Sequence, residues 1–306
     1  MTRWLRRFLV RGVGWRKFLH WAVLNIPTWL EPLVIGWWSL FFLLWGPGRR
    51  GVMRNLSAVL PGSTAFGNFF RTYRVFWNYA WSITDNARFR LLRTIPRWEF
   101  EGRANFEALQ AHDGGAILLT AHMGSYDLGA ALFAELTTRR IVMVRAPETD
   151  PDTREYEERV HEEKGVSGLR VGFNTTANTT GSDLAFDLLS AVQSGEIVAI
   201  QGDRVTPGVT SVETMLFGKR TLIPAGPFAL SMASRAPIFP LFVMRRGRRR
   251  YCLLTCEPIV VTRTSRDRDH DIRRGVDEWV LALEAAIRTG WQQWFAFEPY
   301  SEELAA

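Results

Sequence analysis

Apolar and polar positions alternate in a regular way from about residue 97 to the end of the chain. Short apolar runs rich in branched and aromatic side chains have the length of strands, and amphipathic stretches separate most of them. The predicted strands are 97–102, 116–121, 140–145, 169–173, 196–201, 236–244 and 251–256, and the predicted helices lie near 128–138, 152–165, 182–194, 226–235 and 267–289. This alternation predicts an α/β fold in which helices flank a mixed, mostly parallel central sheet. The glycine in the basic run 245–251 predicts a hairpin between the last two strands.

The beginning of the chain follows a different pattern. The first twenty residues carry six cations and no acid, with Trp, Phe and Leu between them. Residues 21–46 are almost entirely apolar, but Pro27, Glu31 and Pro32 leave no uninterrupted run of about 20 residues for a spanning helix. We therefore expect a basic, apolar segment that lies in a membrane interface. A single tilted span, or core helices of a soluble protein, are the alternatives.

These patterns divide the chain into two parts. Residues 1–50 are predicted to be an N-terminal helical, membrane-associating segment, and residues 51–306 the α/β domain, in which 51–96 form a helical lead-in.

Composition narrows the possible partners. The net charge is +7, and the 306 residues include 13 Trp and 20 Phe, which favours anionic partners such as lipid headgroups or nucleic acid. Basic and aromatic residues also interleave over 52–94, but their aromatics recur at helical spacing, as in a buried stripe. We expect no nucleic-acid partner. The pattern of His, Cys, Asp and Glu predicts no metal site, and no phosphate-binding glycine motif is present.

The stretch LLTAHMGSYDLGA, residues 118–130, is the strongest candidate for chemistry. His122 follows a predicted buried strand and precedes a predicted helix, the place where open α/β sheets carry their sites. Asp127 lies five residues on and can accept a hydrogen bond from one imidazole nitrogen, which leaves the other as a base. Ser125 is a candidate helix N-cap. The alternative is a capped helix in which His122 only fills a loop.

HMGSYD resembles the H-x4-D motif of the lysophospholipid acyltransferase superfamily, and specifically of the lipid A biosynthesis acyltransferase family, which also includes phosphatidylinositol mannoside acyltransferases. The similarity continues in order through VRAP (144–147), SGEIVAIQGDR (194–204) and VETMLFGKRTLIPAGPFALSMASRAPIFPLF (212–242). Of the family's acidic block, only Asp203 is retained. The P-E-G-T-R block of the glycerol-phosphate branch is missing, which disfavours simple glycerophosphate acylation.

The resemblance implies a membrane-associated O-acyltransferase with an acyltransferase-type fold. It would move a fatty acyl group from an acyl carrier protein or coenzyme A thioester to a hydroxyl of a glycolipid such as a lipid A precursor. His122 and Asp127 would be catalytic, and no cofactor is expected besides the acyl thioester as co-substrate. The substrate-binding candidates are Arg145, Asp203, Arg204, Glu213, Lys219 and Arg220, and the backbone amides of Gly124 and Ser125 are candidate oxyanion donors.

Three alternatives stay open at this point. The acceptor could be a phosphatidylinositol mannoside or another glycolipid or phospholipid, the protein could be a non-catalytic lipid-binding protein on the same fold, or water could replace the acceptor as in a thioesterase. The basic N-terminus places the expected enzyme on the cytoplasmic face of a bacterial inner membrane, as a peripheral or singly anchored protein with membrane lipids as partners.

Overall fold

The computed structural model describes residues 12–46, 48–129, 137, 139–145, 150–153, 155, 156, 159, 171–175, 181–206 and 208–304. The predicted helices near 128–138 and 152–165 lie mostly outside these ranges.

Four helices precede the sheet in the part of the chain that the structure describes: α1 (Val13–Asn25), α2 (Glu31–Trp45), α3 (Arg49–Val59) and α4 (Ala65–Leu92). The side chain of Thr64 caps α4 by accepting a hydrogen bond from the Gly67 amide at 3.1 Å. The other three helices all pack against α4. Phe76 and Trp81 on α4 are buried, which confirms that the aromatic stripe of this region belongs to the interior. None of the described helices is both long and apolar enough to cross a bilayer.

The main sheet has seven strands in the order β1-β9-β8-β2-β5-β3-β4. They are β1 (Arg97–Glu101), β2 (Ala116–Thr120), β3 (Ile141–Arg145), β4 (Val171–Thr175), β5 (Ile197–Gln201), β8 (Ile238–Gly247) and β9 (Arg250–Thr255). Every pairing is parallel except that of β8 with β9. The predicted α/β fold with a mixed, mostly parallel sheet is therefore confirmed.

Helices cover the sheet. They are α5 (Arg103–Ala111), α6 (Gly181–Gln193), α7 (Gly226–Ser234) and α8 (Arg268–Gly290). Strand β2 is buried along its whole length because it lies in the middle of the sheet, which explains its continuous apolar sequence. A separate two-stranded ribbon, β6 (Ser211–Leu216) and β7 (Lys219–Pro224), was not predicted. The predicted hairpin between the last two strands is present, with Arg249 at its turn in the left-handed region at φ 54°.

Candidate active site

His122 and an acid are brought together by the register of two parallel strands. Thr120 at the end of β2 pairs with Gln201 at the end of β5. Each chain then runs two residues further, so His122 and Asp203 leave the sheet side by side at its carboxyl edge. The amide of Gly202 donates to the carbonyl of Thr120 at 2.8 Å and holds the two loops together. Ligands and reacting groups bind at this edge of open α/β sheets.

The two side chains form a hydrogen-bonded pair. Nδ1 of His122 lies 2.7 Å from Oδ1 of Asp203, and the backbone amide of His122 donates to the same oxygen at 3.1 Å. Only 1% of the Asp203 side chain is exposed, against 34% for His122. The acid is therefore enclosed, whereas part of the imidazole reaches the surface.

Asp203 is ionised in this setting. Burial alone would raise its pKa, but attraction to His122, the hydrogen bond from that ring, attraction to Arg204 and the hydrogen bond from Trp294 together lower the pKa to about 2. An ionised carboxylate only accepts hydrogen bonds, so Nδ1 of His122 carries the proton. In the neutral ring, Nε2 is then the lone-pair nitrogen, as a general base requires.

Asp127 does not occupy the position that the spacing predicted. Oδ2 of Asp127 accepts a hydrogen bond from Asn86 at 2.8 Å and lies 3.7 Å from the guanidinium of Arg90, both on α4. The sequence predicted that Asp127 accepts a hydrogen bond from one ring nitrogen of His122. For Nδ1 this prediction is wrong, because Nδ1 is hydrogen-bonded to Asp203. The physical reason is the turn at Gly124 (φ 58°), after which the helix that begins at Tyr126 presents Asp127 to α4. A catalytic role for Asp127 stays a prediction.

The amides of Gly124 and Ser125 are engaged within the protein. The Gly124 amide donates to the carbonyl of Gln293 at 2.9 Å, and the Ser125 amide donates to that of Val243 at 3.2 Å. The prediction that these two groups stabilise an oxyanion is therefore wrong for this conformation. They bind the loop that carries His122 to β8 and to the C-terminal segment, residues 291–300.

The C-terminal segment supports the dyad, a role that the sequence analysis missed. The indole Nε1 of Trp294 donates to Oδ2 of Asp203 at 3.1 Å, and the Phe295 amide donates to the carbonyl of His122 at 2.8 Å. The unusual aromatic run 291–300 was the available signal, since a buried indole needs a hydrogen-bond acceptor.

A polar pocket of about 610 Å³ is lined in part by Asp203. Four of the predicted substrate-binding residues line this pocket: Asp203, Arg204, Glu213 and Arg220. The lining also contains three carboxylates that the sequence analysis did not identify, those of Glu298, Glu302 and Glu303. Trp294 and Tyr300 also line it. The pocket thus combines hydrogen-bonding side chains with aromatic surfaces.

Two of the predicted anion-binding cations are paired with one acid. Nζ of Lys219 lies 3.2 Å and Nε of Arg220 lies 3.5 Å from the Glu303 carboxylate. Arg204 donates to the Phe295 carbonyl at 3.0 Å and lies 3.8 Å from Asp203. These contacts reduce the positive charge available to a phosphate. Arg145 ends β3, and its side chain lies outside the described part of the structure.

Within the described residues, no group of His, Cys, Asp and Glu is arranged to hold a metal ion. The chemistry that His122 and Asp203 themselves offer is acid–base chemistry by an imidazole and a buried carboxylate.

Comparison with known protein families gives one match, the bacterial lipid A biosynthesis acyltransferases, over residues 21–299. No curated protein matches the chain. The family match begins within α1 and includes His122, Asp203 and Trp294.

Proposed function

We propose that this chain, which belongs to the bacterial lipid A biosynthesis acyltransferase family, is a membrane-associated O-acyltransferase that uses His122 as its general base. The acyl group moves from an acyl carrier protein or coenzyme A thioester to a hydroxyl of a glycolipid such as a lipid A precursor. The observation that carries the proposal is the buried, ionised Asp203 hydrogen-bonded to Nδ1 of a partly exposed His122.

The proposed reaction is a direct transfer. Nε2 of His122 removes the proton from the acceptor hydroxyl as its oxygen attacks the thioester carbonyl. The tetrahedral intermediate expels the thiolate, and the imidazolium returns its proton to that sulfur. An ester and a free thiol result, and the base is regenerated. Asp203 stabilises the imidazolium throughout, because it stays ionised and hydrogen-bonded to Nδ1.

The polar pocket supports a hydroxyl-rich acceptor. Its carboxylates, among them Glu213 and Glu298, accept hydrogen bonds from hydroxyl groups, and Trp294 and Tyr300 provide aromatic surface. An excess of carboxylates repels phosphate, so we place the sugar headgroup here and the phosphate-bearing donor elsewhere. Glycolipids other than a lipid A precursor carry the same kind of headgroup, and an acceptor panel separates them.

Exposed apolar residues on α1, on α2 and in the turn between them support membrane association. Trp29 and Trp37 are 72% and 73% exposed, and Trp21, Leu24 and Leu33 are exposed beside them. Trp is favoured at the membrane–water interface because its ring is amphipathic. With the basic residues at the start of the chain, this surface supports peripheral attachment to an anionic, cytoplasmic membrane face.

The experiment is an acyl-transfer assay with purified full-length protein. Acyl carrier protein and coenzyme A thioesters are each offered with a lipid A precursor, a phosphatidylinositol mannoside or no acceptor. We expect an acylated glycolipid, and no product from the His122→Ala variant. Free fatty acid formed at the same rate without acceptor would instead show a thioesterase, and no turnover with any acceptor would favour a lipid-binding protein.

A further inference from the structure

An apolar pocket lies between α1, α2 and α4, on the far side of α4 from the catalytic loop. Its volume is about 480 Å³, within the range of small-molecule binding sites. Fourteen of its fifteen lining residues are apolar or Thr, and Glu31 is the remaining one. The lining residues are Trp15, Phe18, Leu19, Ala22, Val23, Ile26, Glu31, Val34, Ile35, Trp37, Trp38, Phe41, Ala80, Ile83 and Thr84. This pocket shares none of them with the polar pocket beside Asp203.

Glu31, the charged residue of the lining, belongs to a cluster beside the pocket that carries an excess of positive charge. The Glu31 carboxylate is buried and contacts three guanidinium groups: those of Arg88, of Arg248 at 2.8 Å and of Arg249 at 3.4 Å. Three cations on one carboxylate leave a net charge of two. Nε of Arg88 and Nε of Arg249 are buried, and the described residues offer them no hydrogen-bond partner. Unpaired charge and unmade hydrogen bonds in a partly buried site favour the binding of an anion.

We propose that this pocket binds one acyl chain of an anionic phospholipid, whose phosphate meets Arg248 and Arg249. The apolar lining excludes a sugar or a nucleotide, and the arginines select an anionic headgroup over a neutral one. The site shares no lining residue with the polar pocket that we assign to the acceptor, and it does not require the proposed reaction.

The surroundings of the pocket suit a lipid that remains in the bilayer. Trp37 lines the pocket and is 73% exposed, and Phe18, also in the lining, is exposed. Arg248 also donates to the carbonyl of Thr28, in the turn between α1 and α2. Aromatic side chains at the opening, with Arg248 at the adjacent turn, are typical of the boundary between lipid chains and headgroups.

A bound chain would lie against the helix that supports the catalytic loop. Ala80, Ile83 and Thr84 of α4 face the pocket, and Ser82 of the same turn donates to the Gly124 carbonyl at 2.7 Å. A lipid chain in the pocket therefore fills the space between α1, α2 and α4, and α4 in turn contacts the loop that carries His122.

The test uses a photoreactive single-chain probe, dodecyl phosphate with a diazirine at the chain end, and the full-length protein. Peptide mapping by mass spectrometry is expected to find the label within α1, α2 or residues 80–84. Ala22→Trp fills the pocket and should reduce this labelling about tenfold. Leu24→Trp places the same ring on the exposed face of α1, outside the lining, and should change it less than about twofold.

The headgroup is tested with a neutral probe, dodecyl maltoside carrying the same diazirine, on the wild-type protein. It should label the pocket about tenfold less than the phosphate. Arg248→Gln with Arg249→Gln should remove this preference. The matched pair, Arg246→Gln with Arg250→Gln, should keep it, because those arginines contact Glu101 and Glu99 instead.

Four results would overturn the proposal. Equal labelling of wild type and Ala22→Trp would show that the chain lies elsewhere, as would label confined to the peptides around His122. Equal labelling by both probes would show that the pocket does not select an anionic headgroup. A wild-type dimer in sedimentation velocity that Ala22→Trp dissociates, without pocket labelling, would identify a second copy as the occupant.

Discussion

Nδ1 of His122 and Oδ1 of Asp203 lie 2.7 Å apart, although 81 residues separate them along the chain. The pair forms because β2 and β5 are parallel neighbours in register, and each contributes the second residue beyond its end. Trp294 and Arg204 lie at the other carboxylate oxygen and complete its surroundings.

The first prediction concerns Asp203. Asp203→Asn should reduce kcat for acyl transfer about 10³-fold, because an amide neither stabilises the imidazolium nor reliably holds the proton on Nδ1. Steady-state kinetics on the folded variant provide the measurement. Asp127→Asn is the matched acid-to-amide variant, and it should leave the His122–Asp203 hydrogen bond intact. A kcat for Asp203→Asn within about threefold of wild type would exclude its role.

The same carboxylate makes stability dependent on pH. The pKa of Asp203 is lowered from 3.8 to about 2 in the folded protein, so its ionised form stabilises the fold above the unfolded value near 3.8. This contribution, about 2 kcal/mol, is lost as the pH falls through about 2. Denaturant unfolding of wild type and Asp203→Asn should therefore show a difference in free energy that narrows below about pH 4. A difference that stays constant down to pH 2 would contradict this assignment.

The turn after His122 requires glycine. A Cβ at position 124 would lie 1.5 Å from the carbonyl oxygen of Val243, and the backbone has φ 58°. We expect Gly124→Ala to lower the free energy of unfolding by about 3 kcal/mol or more, measured by denaturant titration. Gly62 also has a positive φ, 77°, but has open space around it. Gly62→Ala should cost only about 1 kcal/mol, and equal losses for both variants would show that the contact with Val243 does not matter.

The proposed membrane attachment should depend on the exposed face of α1, α2 and the turn between them. The double change Trp29→Ser and Trp37→Ser should weaken binding to anionic vesicles about tenfold, because it removes two rings from the interface. Co-sedimentation measures the bound fraction. Phe186→Ser on α6 removes an equally exposed aromatic residue and should have little effect. If both variants bind like wild type, attachment relies on another surface.

The sequence predicted the central strands of the sheet well because they are buried on both faces and read as continuous apolar runs, as in β2. The ribbon of β6 and β7 was missed because its exposed residues alternate irregularly with buried ones. His122 was found because a lone histidine interrupted an apolar run. Its partner was assigned to Asp127 because spacing along the chain is visible in a sequence, whereas the pairing of β2 with β5 is not. Glu303, which forms ion pairs with Lys219 and Arg220, lies too far along the chain for any local pattern to indicate.

The most direct test of the proposed mechanism is a single-turnover measurement of acyl transfer by His122→Ala, with a radiolabelled acyl thioester and the acceptor that wild type uses. Vesicle binding and a folded state at the assay temperature serve as controls, because loss of the imidazole lowers stability at Asp203 without being expected to unfold the protein. The His122–Asp203 mechanism predicts a rate at least about 10³-fold below wild type in a folded variant that binds vesicles like wild type. A rate within about tenfold of wild type would contradict the mechanism, because the mechanism includes no other group that accepts the proton.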